Sequence, residues 1–241
     1  MQGLRRAGKF LVSNRGQVLI AGVVAGVWSS YYFRHHAISA PHDFHNVFDA
    51  ATRRGFPPGM VVSILMFIAF GLYWDAAAKN ASAAKTSESP LSRGLHVTLV
   101  SAAQILVFAP VRGLRTRFLP ESTPLVVAAL VLELASFAMA IWARQFLGRN
   151  WSGAVTTKVD HELIRSGPYR WVRHPIYTGM LGVYFSTALV SGEIHGLIGT
   201  AVAVIAYWRK IRMEEHYLRG EFGSAYDGYH SETWAVVPGL W

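Results

Sequence analysis

Six stretches of this 241-residue chain are almost wholly apolar, at residues 18–33, 60–78, 95–111, 123–142, 175–190 and 194–208. Nothing else in the chain restricts its fold as severely. A helix crossing the hydrocarbon of a bilayer needs about 20 residues, with a range of about 17–25. The backbone there must satisfy its own hydrogen bonds, which leaves helices and closed barrels as spanning structures. The first four runs approach that length. The last two are shorter and are separated by little more than Ser191, Gly192 and Glu193, a spacing that predicts a tight helical hairpin. The chain therefore reads as all-α: a polytopic transmembrane helical bundle of five or six spans that ends in a C-terminal helical hairpin. Its composition agrees, at 52% hydrophobic and only 15% charged residues, against about 25% charged in average soluble domains.

The formal charge of +9 raises the question of nucleic acid, and the distribution of charge answers it. Basic residues are spread between apolar runs instead of gathering on one soluble face. Basic loops between spans are what the positive-inside rule and anionic lipid surfaces produce, so the expected partner is the lipid bilayer and not nucleic acid. Seventeen of the 23 Lys and Arg fall in residues 1–16, 79–94, 143–174 and 209–241, and six fall in 34–59 and 112–122. That split predicts both termini, and everything between 143 and 174, on the cytoplasmic side. The first run follows Arg5, Arg6, Lys9 and Arg15, as a signal peptide would. The further apolar runs and the lack of a clear cleavage site favour an uncleaved first span. Residues 79–93 read as a plain solvated loop.

The chain has no Cys, which removes disulfides, thiolate metal sites and a Cys nucleophile. His35, His36, His42 and His45 cluster in one loop but lack the repeated pattern of a metal enzyme, so no metal site is expected. No Gly-rich nucleotide fingerprint occurs. Glu133 lies in the middle of an apolar run, where a carboxylate is costly and normally faces a polar partner or a cavity in the bundle interior.

Two stretches concentrate chemistry. Residues 163–179 hold three Arg, one His and two Tyr in a turn-rich segment directly before apolar sequence. Gly167-Pro168 marks a turn, and His174-Pro175 marks a helix start, because proline suits the first helical turn and disfavours helix in the residue before it. Arg170, Arg173, His174 and Tyr177 would share a face if the segment were helical. Alternatively they form a basic, aromatic collar at the membrane surface. The second stretch follows the last span. There Ile211, Glu214, Glu215 and Leu218 have helical spacing, and a carboxylate pair at a membrane end can accept hydrogen bonds from hydroxyls or an ammonium. The same residues also fit an exposed amphipathic helix with a Lys210–Glu214 ion pair.

In order and spacing these motifs resemble the isoprenylcysteine carboxyl methyltransferase family. The resemblance rests on Gly167-Pro-Tyr-Arg-x-x-Arg-His-Pro-x-Tyr-x-Gly179, Glu214-Glu-x-x-Leu218 and Phe222-Gly-x-x-Tyr-x-x-Tyr229, preceded by Trp142-Ala-x-x-x-Leu-Gly-x-x-Trp-Ser152. It covers about residues 125–241, so 1–124 read as N-terminal helices and 125–241 as a methyltransferase core. The resemblance implies an integral membrane enzyme that uses S-adenosylmethionine, bound by the C-terminal hairpin and its flanking cytoplasmic segments. It implies cofactor-lining roles for His161, Glu162, Leu163, Ile164, Tyr169, His174 and Glu214. Tyr177 and Glu215 join them as a ring face and a second carboxylate. Lys210 stands where eukaryotic members place an arginine toward the substrate carboxylate, and with Arg173 it is the candidate for positioning substrate. Lysine offers a point charge where arginine offers a planar fork, and Glu232 stands near where the family usually has an arginine. The acceptor is expected to be lipophilic or membrane-delivered: a prenylcysteine-like carboxylate, a phospholipid amine or a small thiol. Membrane sterol reductases that use NADPH have a similar C-terminal half but typically carry Arg-His-x-Asn-Tyr, whereas Pro175 and Ile176 follow His174 here. A non-catalytic scaffold is the remaining alternative.

Overall fold

The computed structural model of the chain describes residues 57–79, 84–109, 111, 113–152, 155–158 and 162–239. The apolar run at 18–33 and the four loop histidines lie outside them. Six α-helices are described: α1 (Pro58–Ala78), α2 (Pro90–Phe108), α3 (Thr123–Leu147), α4 (Pro175–Ser191), α5 (Ile194–Phe222) and α6 (Ser224–Glu232). Proline stands in the first turn of α1, α2, α3 and α4, where no backbone donor is lost and the fixed φ already suits the helix. The Ser89 side chain adds a cap to α2 by accepting from the Ser92 amide at 3.2 Å.

Among the described residues, Pro58–Ala78, Pro90–Phe108 and Thr123–Asn150 are long and apolar enough to cross a membrane. The hairpin that the sequence predicts is present: α4 ends at Ser191, Gly192 takes φ +64°, and α5 begins at Ile194. That left-handed conformation is cheap only for glycine. At 17 residues α4 is short. α5 begins apolar and runs on for 29 residues into the charged stretch.

α4 is packed between α3 and α5, while α2 lies along α5 and α1 lies against α3 and α4. The α3–α4 contact is close because Gly179 has no side chain: a Cβ there would sit 2.6 Å from the Ser136 carbonyl oxygen. Buried Ala103, Ala203 and Ala206 serve the α2–α5 seam in the same way. Small residues let helix backbones approach where lipid supplies no hydrophobic drive for association. Phe67, Phe70 and Phe137 fill the gap between α1 and α3 with edge-on and tilted ring contacts. Large apolar side chains such as Leu72, Val131 and Leu134 are more than 60% exposed on the outer face, as a lipid-facing surface requires.

Glu133 on α3 is fully buried and accepts a hydrogen bond from Ser63 of α1 at 2.7 Å. Ser63 lies 3.4 Å from the hydroxyl of Thr187 on α4. The mid-span carboxyl thus has the interior polar partners expected of it, and it pins three helices together.

The alternation of helices brings 84–89, 148–152, 155–158, 162–174 and 209–239 to one end of the bundle. There the segment read as a plain solvated loop is structured instead. Strand β1 (Ala84–Ser87) pairs antiparallel with β2 (Thr156–Lys158). Glu88, 8% exposed, accepts from the Ser92 hydroxyl at 2.7 Å and from the Val155 amide at 3.2 Å. The ladder is built from two segments 70 residues apart, a pairing that local pattern does not display.

The Ser63–Glu133 contact generates a test. Glu133→Leu should lower unfolding free energy in detergent by about 1 kcal/mol, and adding Ser63→Ala to it should cost nothing further. Additive losses in the double-mutant cycle would show that the two side chains do not act as a pair.

Candidate functional site

The motif at 163–179 does not form one helix. Gly167–Arg170 makes a 3₁₀ turn, the chain then extends, and α4 starts at Pro175. The extended part is held like an edge strand. Val172 and Trp234 form a parallel bridge. The Arg173 and His174 amides donate to the carbonyls of Trp234 and Ala235 at 2.8 and 2.9 Å. Thr178 adds a hydroxyl bond to the Val236 carbonyl at 2.7 Å. Ala235 and Val236 are buried against Ile211 of α5. The C-terminal tail is therefore part of the wall of this end of the bundle.

His174 is the centre of the arrangement. It is 5% exposed, with Nδ1 3.5 Å from Glu214 Oε2 and Nε2 3.4 Å from Glu215 Oε1. Arg173 Nε donates to the same Glu215 oxygen at 2.9 Å. Its Nη1 donates to the His230 carbonyl at 3.1 Å and to the Thr233 carbonyl. The Tyr177 hydroxyl donates to Glu214 Oε1 at 2.5 Å, and the Tyr177 ring is stacked on the His174 ring at 5.6 Å. Burial pushes the His174 imidazole down, but its hydrogen bonds to Glu214 and Glu215 and their charges carry it above its ordinary value. Burial raises both carboxyls in turn. The His174 hydrogen bond and the Lys210 charge bring Glu214 below its ordinary value. His174 and Arg173 hold Glu215 at about 2.

The two carboxylates are not equivalent. Glu215 has a side chain 7% exposed and is taken up by Arg173 and His174. Glu214 keeps 22% of its side chain exposed. It is the carboxylate a ligand could reach. Lys210, 6% exposed, is buried, so the exposed amphipathic helix allowed by the sequence does not form here. Its Nζ stands 5.8 Å from the centre of the Tyr177 ring. Burial lowers the Lys210 ammonium, against the opposing charges of Glu214 and Glu88.

The remaining residues singled out in the sequence are spread more widely. Tyr169 and Ile164 pack with Ala143, Trp151 and Ile176 behind the His174 turn, and the Tyr229 hydroxyl donates to the Tyr169 carbonyl at 2.6 Å. Leu163 is half-buried, Glu162 is exposed, and His161 lies outside the described residues. Arg170 is exposed and lies over Trp171 at 4.3 Å, as in the collar reading, whereas Arg173 turns inward. Sequence reasoning missed Arg144, which is 4% exposed, lies 4.4 Å over Trp151 and donates to the Ala77 and Gly148 carbonyls at 2.6 and 2.7 Å. It also missed Glu88 and His96. The available signal was a lone polar residue next to, or inside, an apolar run.

Residues 127–220, which run from α3 through most of α5, match the model of the isoprenylcysteine carboxyl methyltransferase (ICMT) family. The resemblance read from the motifs is borne out over this stretch. A protein-S-isoprenylcysteine O-methyltransferase of Dictyostelium discoideum is 33% identical over 82 residues, 34% of this chain and 35% of that protein. The Xenopus laevis protein of the same name is 26% identical over 191 residues, 76% of this chain and 64% of its own length. A solved structure of a eukaryotic intramembrane Ras methyltransferase, ICMT, aligns over 97% of this chain and 98% of that one, at 17% identity and a TM-score of 0.42. The aligned parts thus span between about a third and two thirds of the two curated relatives.

The charge arrangement predicts how stability depends on pH. Glu215 is depressed to about 2 from an ordinary 4.5, so its contribution is complete above about 4.5 and is lost as pH falls toward 2. His174 is raised above 6.5, so its contribution is complete below 6.5 and is lost as pH climbs through its raised value. Melting temperature in detergent should therefore fall on both sides of pH 4.5–6.5. Glu215→Gln should flatten the acid side, and an unchanged acid limb in that variant would contradict the assignment.

Proposed function

We propose that this chain is an integral membrane methyltransferase that uses S-adenosylmethionine and acts on a lipophilic acceptor from the cytoplasmic side. The observation that carries the reading is Glu214: a partly exposed carboxylate among otherwise closed charge pairs, at the end of apolar helices and inside the family-matched stretch. The donor set fits the cofactor. Glu214 can accept hydrogen bonds from its ammonium or ribose hydroxyls, and charge-assisted bonds of this kind are the strong ones. Glu162, Leu163 and Ile164 precede the turn that carries His174 and are assigned to the same pocket, together with His161.

When bound, the cofactor supplies a methyl group already activated on a sulfonium. The residues of this chain then have to bind, orient and exclude water, and orientation alone can supply much of the rate. His174 and Tyr177 fix the Glu214 carboxylate so that its free lone pairs point one way. Arg173 and Glu215 keep the turn at 171–174 fastened to α5 and the tail. Lys210, beside the Tyr177 ring, is assigned to the acceptor side. A single ammonium holds a carboxylate less firmly than a forked guanidinium does. The carboxyl acceptor that the matched family's description specifies is therefore one member of the acceptor class proposed here and does not define it.

Calorimetry in phospholipid nanodiscs tests the reading. Wild-type protein should bind S-adenosylmethionine, and the cofactor at 100 times its Kd should stabilise the fold by about 2.7 kcal/mol, with no such effect from NADPH. Glu214→Gln should weaken binding at least tenfold, roughly the value of one charge-assisted hydrogen bond, with the fold retained. Folded wild-type protein that binds no S-adenosylmethionine would end the proposal. Incubation with labelled methyl donor and a membrane lipid extract then identifies the product.

A further inference from the structure

Glu88 lies outside the family-matched stretch, and none of the motifs includes it. Its side chain is buried, and both carboxylate oxygens are in use. Oε1 accepts from the Val155 amide at 3.2 Å, and Oε2 accepts from the Ser92 hydroxyl at 2.7 Å. The Glu88 amide in turn donates to the Val155 carbonyl at 2.9 Å. Both backbone groups of the buried Val155 are therefore held by one residue far away in the chain. An acid beside a helix start is usually explained by that helix, whose first amides it accepts from. Here Ser89 does the capping, accepting from the Ser92 amide at 3.2 Å. The Glu88 carboxylate is turned to another segment instead.

That segment matters for the site. From Val155 the chain runs through β2 toward Glu162, Leu163 and Ile164. β2 lies beside α5, the helix that carries Glu214. Glu88 is joined to α5 from its other side as well. Arg209 donates to the hydroxyl of Ser92 at 2.8 Å and to its carbonyl at 3.3 Å. Arg209 stands about one and a half turns before Glu214 on the same helix. Val155, Glu88, Ser92 and Arg209 thus form one hydrogen-bonded crosspiece. It runs from the segment that leads to residue 162 to the helix of Glu214.

Resting on the assignment of residues 161–164 and Glu214 to S-adenosylmethionine, we propose that Glu88 is a positioning residue for the cofactor. Its carboxylate fixes the spacing between the Val155 segment and α5, and so holds the two sides of the pocket in place before the cofactor arrives. Ordering that is already complete is not charged against binding. Without an acceptor at this point the buried Val155 amide would be left unmade, which is costly. The segment would then move until that amide found water or another oxygen. The requirement is for an acceptor oxygen at Oε1 and not for a negative charge. Glutamine supplies that oxygen, and its amide can donate to the Ser92 hydroxyl. Methionine keeps the unbranched length and offers no comparable acceptor.

The test uses the full chain in phospholipid nanodiscs, with calorimetric titration of S-adenosylmethionine and amide exchange followed by mass spectrometry over residues 155–164. Glu88→Met should bind the cofactor about tenfold more weakly, and its 155–164 segment should exchange faster before cofactor is added. Glu88→Gln should restore both readouts to near the wild-type values. Ser92→Ala, a milder change to the same crosspiece, should weaken binding about threefold. A residue that merely supports the fold would lower the melting temperature and leave the Kd of the folded protein unchanged. Coupling is reciprocal, so S-adenosylmethionine should slow exchange over 155–164 in wild-type protein, a readout that needs no variant. The inference is overturned by a wild-type Kd in folded Glu88→Met or Ser92→Ala, or by Glu88→Gln binding as weakly as Glu88→Met. Wild-type exchange over 155–164 that the cofactor does not slow would overturn it equally. Wild-type protein that binds no S-adenosylmethionine removes the methyltransferase reading and this role together. Binding to wild type that Glu88→Met leaves unchanged removes this role alone.

Discussion

The buried ion pair between Arg173 and Glu215 joins the parts of the chain that the site needs. Arg173 reaches α5 through Glu215 and reaches the residues around the end of α6 through the His230 and Thr233 carbonyls. Both side chains are 7% exposed. Removing one partner from such a pair leaves an uncompensated charge in a poorly solvated place, which is far more costly than the pair is stabilising. The consequence is geometric. The turn before α4, the start of the polar half of α5 and the C-terminal tail are held in one relation, and His174 is caught between two carboxylates. The tail then adds backbone hydrogen bonds to the turn as if it were a neighbouring strand.

Within this frame the adjacent acids Glu214 and Glu215 are divided by function. They are consecutive on a helix and so point about 100° apart. One faces the Arg173 clamp and is consumed by it. The other faces Tyr177 and Lys210 and retains exposure. A carboxylate whose position is set by a tyrosine hydroxyl and an imidazole has its remaining lone pairs already oriented, which is the preorganisation that binding sites rely on.

The N-terminal helices enter the same end of the bundle through α2. Arg209 of α5 donates to the Ser92 hydroxyl at 2.8 Å, Ser92 bonds Glu88, and Glu88 bonds the Val155 amide. The polar layer therefore passes from α5 through α2 into the segment that leads to the motif turn. A part of the chain that shares no motif with the family supplies one wall of the place where family-like residues gather.

The apolar runs by themselves determined a helical membrane bundle and the hairpin at Gly192, because spanning lengths and a glycine turn are local features of the chain. Motif order pointed to the C-terminal half and to His174 and Glu214. The sequence did not separate Arg170 from Arg173, or Glu214 from Glu215, because both members of each pair have the same chemistry and lie in the same motif. Tertiary contact separated them: Arg170 lies on Trp171 at the surface, while Arg173 enters the interior and takes Glu215 with it. Glu88 in an apparent loop and His96 near the start of an apolar run carried only the signal of a lone polar residue, which does not name a partner. Their roles arise from pairing with residues more than 60 positions away, and side-chain periodicity records only the face of an element, not the identity of what that face meets.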